Sequence, residues 1–104
     1  RNSIPNDPNG AWYTSGLRLG TPAVTTLGMG PAEMKEIAAC LKTVLSNTKP
    51  QPVTSGPNAG TLSKAHYLLE EKVKAEVRTR VQSLLKRFPV YPELDLDLLL
   101  KHFA

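Results

Sequence analysis

The chain contains little cysteine, few aromatic residues and no long hydrophobic run. Its single cysteine, Cys40, excludes an internal disulfide and argues against a cysteine-rich metal site. Cys40 lies in an apolar helical run, where a free thiol behaves as a small hydrophobic group. No apolar stretch has the length of a membrane span, and no secretory signal pattern opens the chain. We therefore expect no membrane association and no disulfide framework.

The 104 residues are enough for one domain at most. Hydrophobic residues make up 40% and charged residues 21%, which is ordinary for a globular protein. The net charge is +4, but acidic residues are interleaved with the basic ones. This balance suggests mild attraction to polyanionic ligands and argues against nucleic acid as a partner.

Apolar periodicity predicts two main helices, one over about 31–46 and one over about 63–88. Between them, the proline- and glycine-rich residues 47–62 predict an extended or mobile connector. A short strand is expected within 12–19, and an amphipathic terminal helix within 94–103 is expected to pack back onto the domain. The predicted fold class is α/β, and the chain itself would be a small α+β domain with a short sheet, two main helices and a terminal helix.

Several groups of polar residues carry weak signals. His66 and His102 are far apart in sequence and lack metal-ligand spacing, so we interpret them as surface or packing residues. Glu93, Asp95 and Asp97 alternate with leucines, as in an amphipathic tail. The Gly28–Gly30 turn precedes a helix and could hold an anion, but two glycines alone are weak support. We predict no metal site.

The segment Thr14–Thr26 carries the strongest signal. Arg18 lies on a short apolar stretch between Gly16 and Gly20, and Thr21-Pro22 ends that stretch. A guanidinium presents a planar fork of donors that fits a carboxylate, and it stays charged at any working pH. Glycines that allow close backbone approach, and a proline that fixes the next turn, would keep such an anchor stiff. From Arg18 alone, a structural or solvated arginine remains an open alternative.

Residues 15–25 (SGLRLGTPAVT) match throughout a segment that is distinctive of serine hydroxymethyltransferases, and the chain resembles that family. The opening Asn2–Pro8 (NSIPNDP) is similar to the family's segment immediately upstream. Arg87–Tyr91 (RFPVY) is similar to a less specific motif near the end of the family's sequences. The resemblance is strong over 2–30 and weak over 63–92.

The resemblance implies roles for particular residues. Arg18 would bind the carboxylate of the amino-acid substrate. Asn2 would lie near the pteridine ring of folate, and Gly10, Ala11 and Trp12 occupy the position of a Ser-Pro-Phe segment close to the folate. That departure keeps an aromatic residue but removes a hydroxyl and a proline. Leu27 is a second departure, because many members carry arginine there.

The resemblance also implies what the rest of the protein would be. Residues 1–104 would form the C-terminal small domain of a larger fold-type I pyridoxal-phosphate-dependent enzyme that interconverts serine and glycine with tetrahydrofolate. A large domain would hold pyridoxal 5′-phosphate on a lysine that this chain lacks, so we expect the chain alone to be inactive. A cytoplasmic homodimer is expected. Threonine-type aldol cleavage and α-methylserine reactions stay open.

Two readings from other classes remain. A stand-alone interaction module would use the helix at 63–88 and the connector to bind a partner without catalysis. A basic helix could instead bind nucleic acid through four residues: Arg78, Arg80, Lys86 and Arg87. The glutamates between them and the lack of an aromatic stacking platform rank this reading last.

Overall fold

The computed structural model describes residues 1–103 and contains four helices and two strands. In chain order they are α1 (Pro22–Thr26), α2 (Pro31–Asn47), β1 (Lys49–Pro52), β2 (Leu62–Leu68), α3 (Glu71–Arg87) and α4 (Leu96–Phe103). The predicted α+β class is confirmed. None of the helices in this described part is both long and apolar enough to cross a membrane.

Helix α2 forms where the periodicity predicts it, within one residue of the expected end. Pro31 occupies its first turn, where the missing N–H costs no helical hydrogen bond. The Glu33 carboxylate accepts a hydrogen bond from the Gly30 N–H at 2.8 Å, which satisfies one of the free donors at the helix start. Cys40 is buried on the apolar side of this helix, and Met29, two residues before its start, is also buried.

The predicted start of the second main helix is wrong. Residues Leu62–Leu68 form β2, which pairs antiparallel with β1, and α3 begins only at Glu71. At the predicted start of that helix, the Ser63 hydroxyl accepts hydrogen bonds from the N–H groups of Ala65 and His66, at 3.1 and 2.9 Å. Pairing with β1 satisfies backbone N–H and C=O groups that a helix would otherwise satisfy. The sequence of residues 62–68 alone does not indicate that β1 is available as a partner.

The connector at 47–62 contains an extended strand and a hydrogen-bonded turn. Pro50 and Pro52 lie in β1, and the ladder register shifts between them, since proline donates no hydrogen bond. The turn that follows is closed by hydrogen bonds between Val53 N and Thr61 O and between Gly60 N and Val53 O, both 2.9 Å. The segment is thus one arm and the tip of a hairpin.

The core lies between α2 and α3, where Val77 and Leu84 of α3 are buried. Two ion pairs join the same helices at their rims. Arg80 donates two hydrogen bonds to the Glu36 carboxylate, at 2.8 and 3.0 Å, and Arg87 donates one to Glu33 at 3.1 Å. The core of the described residues is small, formed by this helix pair and Met29 before α2. The chain is elongated, with a radius of gyration of 18.6 Å where about 13 Å is usual at this length.

The terminal helix forms, but the prediction that it packs back is wrong. Over residues 1–103, no other helix or strand lies against α4, and all its residues are exposed. Its leucines and Phe103, which is 85% exposed, face solvent. Pro89 and Pro92 follow α3 and separate it from α4.

The short strand expected within 12–19 is reduced to a single bridge. Gly16 pairs antiparallel with Asn2, and the residues on either side of Gly16 form no regular strand. Within the described residues, this part of the chain forms only that one bridge, because a longer strand needs a neighbouring strand to pair with.

Candidate functional site

The candidate site is the hairpin-like segment 1–20, which the Asn2–Gly16 bridge closes. Two backbone hydrogen bonds form the bridge, from Asn2 N to Gly16 O and from Gly16 N to Asn2 O, both 2.8 Å. A Cβ at position 16 would lie only 2.6 Å from the Asn2 carbonyl oxygen and 2.7 Å from the Ile4 side chain. The close approach of these two backbone stretches therefore requires glycine at position 16.

Arg18 follows this bridge and is exposed. One of its terminal nitrogens donates a hydrogen bond to the side-chain oxygen of Asn2 at 2.9 Å. Within residues 1–103, no carboxylate lies within salt-bridge distance of Arg18. A guanidinium has five N–H donors, so most of them remain available to a ligand. The arrangement can hold a carboxylate bidentately from a guanidinium whose direction Asn2 constrains.

The segment is braced by the carboxylate of Asp7. One of its oxygens accepts hydrogen bonds from the N–H of Ser15 at 2.8 Å and of Ile4 at 3.4 Å. The other oxygen accepts from the Ser15 hydroxyl at 2.6 Å and the Asn9 N–H at 3.0 Å. These donors, led by the Ser15 hydroxyl, lower the pKa of Asp7 from 3.8 to about 2. The carboxylate is therefore ionised at any working pH.

The structure brings some of the predicted site residues together and leaves others apart. Asn2 and Arg18, for which the resemblance implies different ligands, are hydrogen-bonded to each other. Gly10, Ala11 and Trp12 form the exposed turn of the segment, with Gly10 at φ 67°. Trp12 is 78% exposed. The assignment of residues 10–12 to folate stays a prediction.

Sequence reasoning did not identify Asp7 and Ser15 as parts of the site. One signal was present, because Asp7-Pro8-Asn9 has the Asp-x-Asn spacing of a turn in which a carboxylate accepts an N–H two residues on. Nothing in the local pattern indicates Ser15 as the further partner, since its contact with Asp7 spans eight residues.

The weaker sequence signals lead to structural roles. Asp95 accepts the Leu98 N–H at 2.9 Å at the start of α4. Residues 1–103 hold no group of three or more potential metal ligands, and His66 and His102 are exposed. Burial raises the pKa of the Cys40 thiol, which favours the neutral form.

The basic residues of α3 were the proposed nucleic-acid contacts. Arg80 and Arg87 are instead paired with Glu36 and Glu33. This pairing leaves Arg78 and Lys86 as a sparse pair of basic side chains, which argues against the nucleic-acid reading.

Comparison with known proteins accounts for the arginine segment. The model of the serine hydroxymethyltransferase family matches residues 1–41. The chain is 54% identical over 100 residues to a serine hydroxymethyltransferase of Chlamydia muridarum. The aligned region covers 95% of this chain and 19% of that protein. The chain is 54% identical over 97 residues to that of Salinispora tropica, covering 92% and 19%. The Treponema pallidum protein is 52% identical over 104 residues, covering 100% and 17%. No solved structure matches the chain.

An α+β domain that carries an arginine on a glycine-bracketed segment is thus similar, over nearly its whole length, to enzymes of one family. The chain corresponds to a fragment of the serine hydroxymethyltransferases that it matches. It spans about a fifth of the length of the curated relatives it matches.

Proposed function

We propose that the chain is the C-terminal small domain of a serine hydroxymethyltransferase, in which Arg18 binds the carboxylate of the amino-acid substrate. The observation that supports this most is the Arg18 guanidinium, which is exposed and hydrogen-bonded to Asn2 at 2.9 Å. It lies in the segment that the family model matches. The reaction proposed for the whole enzyme interconverts serine and glycine, with tetrahydrofolate as cosubstrate.

The residues of this chain do not fit a pyridoxal-phosphate site on their own. A lysine that forms a Schiff base is activated by a desolvated or cationic setting, and all eight lysines of the chain are exposed. We therefore assign the cofactor to the large domain of the whole enzyme. In this proposal the chain binds and orients the amino acid, and it has no catalytic activity alone.

The exposed apolar residues beside Arg18 favour a further protein surface at this position. Trp12, Leu17 and Leu19 are 78%, 57% and 69% exposed. Burying such side chains is favourable, by about 1.5–3 kcal/mol for a fully buried leucine. We infer that the remainder of the enzyme covers them, and that the active form is a cytoplasmic homodimer.

The alternative, a stand-alone interaction module based on the helix at 63–88, has less support. Part of the apolar side of α3 is already used, because Val77 and Leu84 are buried against α2. The charged side is partly used in the ion pairs to Glu33 and Glu36. Val81 and Leu85 remain 38% and 50% exposed, a small apolar surface for an independent partner.

The test uses a hybrid enzyme, in which residues 1–104 replace the matching fifth of the Chlamydia muridarum relative. Arg18→Ala should raise the KM for serine about 100-fold, because two charge-assisted hydrogen bonds to the carboxylate are lost. Arg18→Lys should be intermediate, since lysine keeps the charge but not the planar fork. Arg78→Ala, at an exposed arginine of α3, is the control.

Two results would contradict the proposal. One is a folded hybrid without serine hydroxymethyltransferase activity. The other is an Arg18→Ala hybrid whose KM for serine equals that of the Arg78→Ala hybrid.

A further inference from the structure

A single carboxylate joins both backbone stretches of the Arg18 segment. Asp7 accepts the N–H of Ile4, two residues after Asn2, and the N–H of Ser15, one residue before Gly16. Asn2 and Gly16 are the two residues of the bridge. Asp7 therefore lies beside the bridge and holds the chain on each of its two sides.

The contacts continue from this bridge to the guanidinium. Ser15 is held by Asp7 through both its N–H and its hydroxyl, at 2.8 and 2.6 Å. The adjacent Gly16 exchanges two hydrogen bonds with Asn2, and the Asn2 side chain accepts the hydrogen bond from Arg18 at 2.9 Å. Any shift of Ser15 would thus move the Asn2 side chain relative to Arg18.

We propose that Asp7 is a positioning residue, which fixes the direction of the Arg18 guanidinium through the Asn2–Gly16 bridge and so sets the affinity for the amino-acid carboxylate. The inference rests on the proposed carboxylate-binding role of Arg18. Asp7 does not touch Arg18 itself and acts through Ser15, Gly16 and Asn2. Its charge matters because hydrogen bonds to an ionised acceptor are stronger than those between neutral groups.

The conservative variant Asp7→Asn tests this in the hybrid enzyme. The amide has nearly the same shape, but it has one acceptor oxygen where the carboxylate has two. We expect the KM for serine to rise about tenfold with kcat within about twofold, the pattern of a weakened substrate anchor. Ser15→Ala removes the 2.6 Å hydroxyl contact with Asp7 and the hydrogen bond that the hydroxyl accepts from the Asn9 side chain at 2.8 Å. It keeps the Ser15 N–H contact with Asp7 and should raise the KM for serine by less than Asp7→Asn does. Asp95→Asn is the matched control, because Asp95 accepts a backbone N–H at the distant start of α4.

A double-mutant cycle separates positioning from general stability. If Asp7 acts through the guanidinium, Asp7→Asn should change the KM for serine by less than about twofold when Arg18 is already lysine. A merely structural role predicts the same fold-change in both backgrounds, together with a lowered melting temperature. In the 104-residue chain, hydrogen exchange at the Gly16 amide provides a readout independent of activity. It should be faster in Asp7→Asn and unchanged in Asp95→Asn.

The outcomes distinguish this inference from the proposed function. If Arg18→Ala raises the KM for serine and Asp7→Asn leaves it unchanged, the positioning role is wrong and the function of Arg18 stands. Fully additive effects of Asp7→Asn and Arg18→Lys would also overturn the positioning role. If Arg18→Ala itself leaves the KM unchanged, the proposed function fails and this inference fails with it.

Discussion

The substitution Gly16→Ala should open the Arg18 segment. The added Cβ would lie 2.6 Å from the Asn2 carbonyl oxygen, which belongs to backbone and is held by the bridge. The Ile4 methyl group at 2.7 Å is a flexible side-chain end and could turn away, whereas the carbonyl could not. Forcing an extra methyl into a tight contact costs about 1–3 kcal/mol. Because 1.4 kcal/mol is a factor of ten, the bridge should open about 5- to 140-fold more often.

Hydrogen exchange of the amides at positions 2 and 16, followed by NMR, measures this opening directly. Global unfolding is a poorer assay, because the core between α2 and α3 contains no residue of the segment 1–20. Gly20→Ala is the matched control, since the nearest atom to its added Cβ is the Pro22 Cδ at an ordinary 3.6 Å. Equal exchange rates in the two variants would refute the close approach at Gly16.

Two further predictions concern the core and acid stability. Leu84→Ala should lower the free energy of unfolding by about 2–5 kcal/mol, because Leu84 is only 7% exposed between α2 and α3. Leu100→Ala, at a leucine that is 64% exposed, should change it by less than about 0.5 kcal/mol, and urea titration would contradict the packing if the two variants behaved alike. The segment 1–20 should lose stability as the pH falls from about 4 towards 2, because the folded pKa of Asp7, about 2, lies below its usual value of 3.8. Hydrogen exchange of the Gly16 amide, measured as a function of pH, follows this loss. If Asp7→Asn showed the same loss of protection between about pH 4 and 2, Asp7 would not be its cause.

The helices could be predicted from the sequence to the extent that their contacts are local. The apolar face of α2, the proline at its start and its acidic first turn all lie within the 17 residues of the helix. The predicted end of this helix is therefore right to within one residue. Residues 62–68 carry a weaker helical pattern and pair with β1, which lies at least ten residues earlier. That pairing depends on a hairpin across a proline-rich segment, and periodicity does not report it.

The candidate site was predictable only in part, for a similar reason. Arg18 and Asn2 were identified because the segment around each resembles one family. The hydrogen bond between them spans 16 residues and was not expected. The sequence around Asp7 indicates only a turn, whereas its carboxylate accepts four hydrogen bonds that hold the segment. The same carboxylate oxygens can accept hydrogen bonds within a turn and from residues distant in sequence. The local sequence indicates only the hydrogen bonds within the turn.

The described residues include a braced segment that carries Arg18 and a core between α2 and α3, to which that segment contributes no buried hydrophobic side chain. The two are joined through α1, whose Val24 carbonyl accepts the Met29 N–H at 3.1 Å just before α2. The segment is thus internally fixed by Asp7 and the bridge, and Lys64 of β2 lies over its Tyr13 ring, at 5.8 Å from the ring centre. An arginine that must meet a substrate carboxylate needs its position fixed as well as its direction. The exposed Trp12, Leu17 and Leu19 offer the surface through which a larger protein could supply that constraint.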